Sequence, residues 1–108
     1  MLTAEEESVL RRFKQVLIDL LKDDALEVRL FGSKARGDDR PDSDLDLLVI
    51  VSGGSWRLAD QVYGVATDLL LETGISLSPK VLSREEYGRL MREETPFLMN
   101  VVAEGLAV

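Results

Sequence analysis

Apolar residues recur along the chain with two different periods, and the changes of period divide it into helices and strands. Val9, Leu10, Phe13, Val16, Leu17, Leu20 and Leu21 fall at helical spacing, which predicts a helix to about residue 22 with one apolar stripe. Thr3-Ala4-Glu5-Glu6 has the spacing of a capping box at its start, and Asp23-Asp24 ends it. Over residues 25–31 the period drops to two: Leu26, Val28 and Leu30 alternate with Glu27 and Arg29, as in a half-exposed strand. Gly32 to Ser43 is polar and broken by Pro41, and reads as a short turn of helix followed by a loop. Leu45 to Val51 is almost continuously apolar, the pattern of a central strand covered on both faces.

Ser52-Gly53-Gly54-Ser55 predicts a turn whose last serine caps the next helix. Ala59, Val62, Tyr63, Ala66, Leu69 and Leu70 form the stripe of that helix, which places Tyr63 in the core, and Gly74 supplies its stop. Trp56, at its start, is expected in the core or near a bound ligand. Residues 75–82 alternate again as a third strand, with Pro79 confining it to an edge or a bulge. Ser83-Arg84-Glu85-Glu86 is a second capping box, opening a short helix through Met91. Thr95 is placed to cap a last helix with Pro96 at its first position, Phe97, Leu98, Val101 and Val102 on its apolar face, and Gly105 at its end. The order α-β-β-α-β-α-α defines an α+β fold: a small mixed sheet of about three to four strands packed with helices. A chain of 108 residues with no repeat and no long linker is expected to form a single domain, 1–108.

Composition narrows the chemistry. There is no cysteine and no histidine, so thiolate or His-ligated zinc, imidazole bases and Ser-His triads are excluded. Thirteen basic against twenty acidic residues give a net charge of −7, which argues against general nucleic-acid binding. No apolar run approaches the ~20 residues of a membrane span, and the acidic start is unlike a signal peptide. The expected location is the cytoplasm.

Two features of residues 30–47 carry chemistry. Gly32-Ser33 follows a strand and opens a helical turn, where outward-pointing backbone N–H groups suit phosphate oxygens and the Ser33 hydroxyl adds a hydrogen bond. Asp44 and Asp46 stand two apart at the head of the next strand, so both carboxylates leave the same face and can share hard cations such as Mg²⁺. A calcium loop is the competing reading of Asp42-x-Asp44-x-Asp46, but Leu47 occupies the position that needs glycine and Gly53 the position of the bidentate glutamate.

Gly32-Ser33, ten residues, then Asp44-Leu45-Asp46, with Ala35-Arg36-Gly37 inside, resembles the signature of the DNA-polymerase-β-like nucleotidyltransferases, and most closely their minimal nucleotidyltransferase (MNT) members. The motif spans fifteen residues; the order of elements fits the family over the whole chain. The resemblance implies that Gly32, Ser33 and Arg36 bind the triphosphate of ATP and that Asp44 and Asp46, the catalytic pair, hold two Mg²⁺ ions. Lys34 and Arg40 are further candidates for positive charge near the phosphates. The resemblance also implies an antitoxin that transfers AMP to a tyrosine hydroxyl of a partner toxin with a HEPN domain, in a hetero-oligomer.

The family's third carboxylate belongs on the strand after the long helix. Here Ser76, Ser78 and Lys80 form the polar face of that strand, and Asp68, Glu72, Glu85 and Glu86 are patterned onto solvated helix faces. A neutral hydroxyl does not replace a carboxylate as metal ligand or base. Two readings follow: an active adenylyltransferase, or a catalytically impaired protein of the same fold that neutralises its partner by binding alone.

Overall fold

The structure is a computed structural model describing residues 2–23, 26–37, 43–53 and 56–108. Its elements are α1 (Ala4–Leu21), β1 (Glu27–Phe31), α2 (Gly32–Arg36), β2 (Leu45–Val51), α3 (Trp56–Thr73), β3 (Leu77–Ser83), α4 (Arg84–Arg92), α5 (Pro96–Glu104) and β4 (Leu106–Ala107). The strands form one sheet in the order β3-β2-β1-β4. β1 runs antiparallel to both β2 and β4, while β2 and β3 are parallel. The architecture is the α+β arrangement expected, with a mixed four-stranded sheet.

β2 lies inside the sheet, which explains its nearly unbroken apolar run. Leu45, Leu47, Val49 and Val51 point to one face, where they pack with Val9, Leu10, Phe13 and Leu17 of α1 and Val62, Val65, Ala66 and Leu69 of α3. Leu48 and Ile50 point to the other, against Leu82, Leu98 and Val101. Because side chains alternate along a strand, Asp46 shares the face of Leu48 and Ile50, the side covered by α4 and α5. β3 takes the edge position that Pro79 requires.

Both capping boxes form: the Thr3 and Ser83 side chains accept the N–H of Glu6 and Glu86, whose carboxylates return to the cap N–H groups. Three expectations are corrected. Thr95 makes no side-chain cap; its hydroxyl donates to the Leu90 carbonyl instead, and Pro96 alone shapes the start of α5. Tyr63 is 47% exposed, because α3 buries only the narrower arc of Val62, Val65, Ala66 and Leu69. Trp56 is 73% exposed and sits with Arg57 against its ring, outside the core. The expected cap at Ser55 lies outside the described residues. β4 was not anticipated: two residues show no period, and the strand exists only through its pairing with β1.

Candidate active site

The site is built where β1 turns into α2. Phe31 is the last residue of β1 and pairs in register with Asp46, so the next residue, Gly32, is brought against the Asp46 side chain. Gly32 adopts φ +76°, a conformation costly for any residue with a Cβ. A Cβ there would also collide with Asp46 Oδ2 and lie 3.2 Å from its Cγ. Glycine is therefore required twice, for the turn and for the close approach to the carboxylate. Gly32→Ala should lower nucleotidyl transfer about 10²-fold, since displacing a reacting group by an ångström costs that much. It should also destabilise the fold by about 1–2 kcal/mol through the left-handed backbone. Transfer kinetics read with thermal unfolding check both; wild-type activity in the variant would show that the contact has no catalytic role.

Asp44 is exposed immediately before β2, and Asp46 is half-buried at its second position. The Asp46 carboxyl is raised above its ordinary 3.8, first by burial and then by the negative charge of Asp44; the Arg36 guanidinium partly offsets both. A carboxylate raised by a like-charged neighbour is relieved by a shared cation, which fits a divalent metal at this pair. Among the described residues no group of three acids is arranged to hold a metal. The residue beside Asp46 across the parallel ladder is Ser78, on the strand where the family resemblance implies a third acid. Glu72 is engaged by Arg12 and Glu86 by the Ser83 cap, so neither turns in.

The three basic residues of this segment are separated. Arg36 faces the site, ion-paired with Glu104 of α5 at 3.2 Å. Lys34 is turned away from the Gly32–Asp46 contact: it is 4% exposed, its Nζ 2.8 Å from Glu6 Oε2. In a helix of five residues only one flank can face the sheet and solvent cleft, and Lys34 falls on the flank turned to the start of α1. Arg40, like Asp38, Asp39 and Asp42, lies outside the described residues. Sequence reasoning missed the contribution of α5. Phe97, expected to be core, packs edge-to-face on Phe31 with centroids 5.4 Å apart and an interplanar angle of 87°, and Lys80 lies 4.7 Å from its ring. With Arg36, Asn100, Val101 and Glu104 these rings line a cleft of about 250 Å³ that opens beside Gly32. No spacing within α5 announces this, because the cleft joins Phe31, Gly32 and Arg36 to residues of α5 that lie 61 or more positions further along the chain.

Comparison with known proteins agrees with this fold. A protein-family model described as a nucleotidyltransferase domain matches residues 10–95. A Methanocaldococcus jannaschii protein named "Putative protein adenylyltransferase" is 32% identical over 100 residues, covering 93% of this chain and 94% of its own. A second protein of that name and organism is 31% identical over 77 residues, covering 70% and 78%. A solved structure described as "Structure of putative minimal nucleotidyltransferase" superposes with a TM-score of 0.53 at 28% identity, over 94% of both chains. Another, described as "Crystal structure of the toxin-antitoxin with AMP-PNP", superposes at 0.54 over 89% of this chain and 69% of that one; at 19% identity it shows the fold alone. The chain belongs to the nucleotidyltransferase domain family, as a minimal nucleotidyltransferase. No helix among the described residues is long and apolar enough to cross a membrane.

Proposed function

We propose that this nucleotidyltransferase moves AMP from ATP to a tyrosine hydroxyl of a HEPN-domain toxin, in the cytoplasm, and so acts as the antitoxin of the pair. The observation that carries the reading is the contact of the Gly32 bend with the Asp46 carboxylate, with Asp44 close enough to raise it. A triphosphate tail on the bend then lies next to the acids that hold its counter-ions. The names of the two curated relatives support a protein acceptor, and the toxin–antitoxin neighbour supports a partner chain.

In this reading Gly32 and Ser33 bind the β- and γ-phosphates through backbone N–H groups and the hydroxyl. Arg36 adds charge on the same side. Asp44 and Asp46 would hold Mg²⁺, which supplies neutralisation of the phosphate charge as it builds in the transition state. The acceptor oxygen forms a bond to the α-phosphorus, the bond from that phosphorus to the β-bridging oxygen breaks, the hydroxyl's proton passes to solvent water and pyrophosphate leaves. The chain's contribution is positioning and electrostatics, which are the main demands of such transfer.

Ser78 beside Asp46 favours the second reading, inhibition by binding alone. Intact-mass measurement of the partner toxin after incubation with ATP, Mg²⁺ and this protein separates the two. The expected result is a gain of one or more AMP units. An unchanged mass with nuclease inhibition intact would leave only the binding reading.

A further inference from the structure

The cleft between α2 and α5 has the makings of a ring-binding site. At about 250 Å³ it is smaller than the ~300–1,000 Å³ of sites that enclose a whole drug-sized ligand, and suits one flat ring system. Its lining includes the two perpendicular phenylalanine rings, and aromatic faces bind any base by stacking. Its polar rim consists of Arg36, Asn100 and Glu104. Arg36 and Glu104 are paired across that rim. Asn100 is exposed, and its amide has no hydrogen bond to another described residue. It offers one donor and one acceptor side by side.

We propose that this cleft holds the base of the donor nucleotide, with Phe97 as the stacking surface and Asn100 as the residue that selects adenine. The inference rests on the reading of Gly32, Asp44 and Asp46 as the triphosphate centre. Gly32 belongs to both the cleft and the Asp46 contact, so a nucleoside in the cleft has its α-phosphate beside the acids. Adenine presents its N6 amino donor next to the N7 acceptor, which a carboxamide matches with two bonds; guanine presents two acceptors on that edge. The acceptor's phenol fits less well, since its single polar atom must reach Asp46 and Asn100 is left without a partner. Trp56 is not the base platform: it lines a pocket with Val51 and Gly53 at the other end of β2, and Val51 is five residues along the strand from Asp46 and so roughly 17 Å away.

The test is calorimetric binding of ATP, GTP and inorganic tripolyphosphate, each with Mg²⁺, to the full chain. Wild type should bind ATP about tenfold tighter than GTP, the discrimination of one good bidentate pair, and both more tightly than tripolyphosphate. Asn100→Ala, at an exposed position, should reduce ATP to the level of GTP. Phe97→Leu, which keeps an apolar side chain under the sheet, should weaken both nucleotides about equally and leave tripolyphosphate unchanged. An ATP-to-GTP ratio unchanged by Asn100→Ala overturns the assignment. Tripolyphosphate binding as tightly as ATP also overturns it, while leaving the triphosphate centre standing. If none of the three binds, the triphosphate centre and the base site fall together.

Discussion

Asp46→Asn should reduce nucleotidyl transfer by on the order of 10³-fold while leaving the metal-free protein slightly more stable than wild type at neutral pH. The loss of rate follows from removing a carboxylate that, in the proposed reading, would hold the charge-neutralising cation, a contribution of several kcal/mol. The gain in stability follows from the opposite sign of the same group's environment. Burial and the neighbouring Asp44 raise the Asp46 carboxyl above its ordinary 3.8. A carboxyl raised in this way favours the fold only at pH below that ordinary value, and the contribution disappears as pH rises through the raised pKa. At neutral pH the ionised group is therefore a cost of the fold, which asparagine removes. Transfer rates with Mg²⁺ and unfolding temperatures in EDTA measure the two effects separately. Unchanged transfer would end the case for a catalytic Asp46. Decreased stability of the metal-free variant would contradict the electrostatic account.

Glu6→Ala should cost about 3–5 kcal/mol of folding stability, the usual effect of deleting one member of a buried ion pair, out of a total of about 5–15 kcal/mol for a domain. Glu6 serves two structures with its two oxygens. Oε1 accepts the Thr3 N–H at the start of α1, and Oε2 meets the buried Lys34 ammonium of α2. Burial pushes the Glu6 carboxyl up, but the Lys34 hydrogen bond and charge, together with the Thr3 contacts, outweigh it and hold the carboxyl below its ordinary 4.5. That direction makes the stabilisation present above about pH 4.5 and lost as pH falls through the lowered pKa. The urea midpoint of Glu6→Gln should therefore lie well below that of wild type at pH 7 and converge with it in acid. A double variant, Glu6→Leu with Lys34→Met, should recover most of the stability, because apolar replacement of both partners leaves no buried charge. A gap between wild type and Glu6→Gln that persists unchanged at low pH would show that shape, not charge, carries the contact.

The position of Lys34 shows why local sequence gave only part of the site. From its place after Gly32-Ser33 the ammonium looks available to a phosphate, and only the packing of α2 against the start of α1 turns it to Glu6. The cleft lined by Phe97 and Asn100 has the same origin. Phe97 reads as one more core residue of an amphipathic helix, and it faces Phe31 because α5 crosses beneath the end of β1. Asn100 carries no signal at all until that crossing is known.

Periodicity and capping chemistry were enough for the elements themselves. The 3.6-residue stripe of Val9 to Leu17 and the unbroken run of β2 are local records of one-sided and two-sided burial, and the capping boxes at Thr3 and Ser83 mark helix starts through bonds three residues long. Such features need no distant partner, so the sequence alone determines them, together with the pairing of a Gly-Ser bend and two acids that defines the family. Which acid touches the bend, which cation is withdrawn from it, that β4 exists as a strand and which ring walls the cleft were decided by the tertiary structure. Each depends on the register of β1 against β2 or on the seating of a helix, and those are set by contacts between residues far apart along the chain.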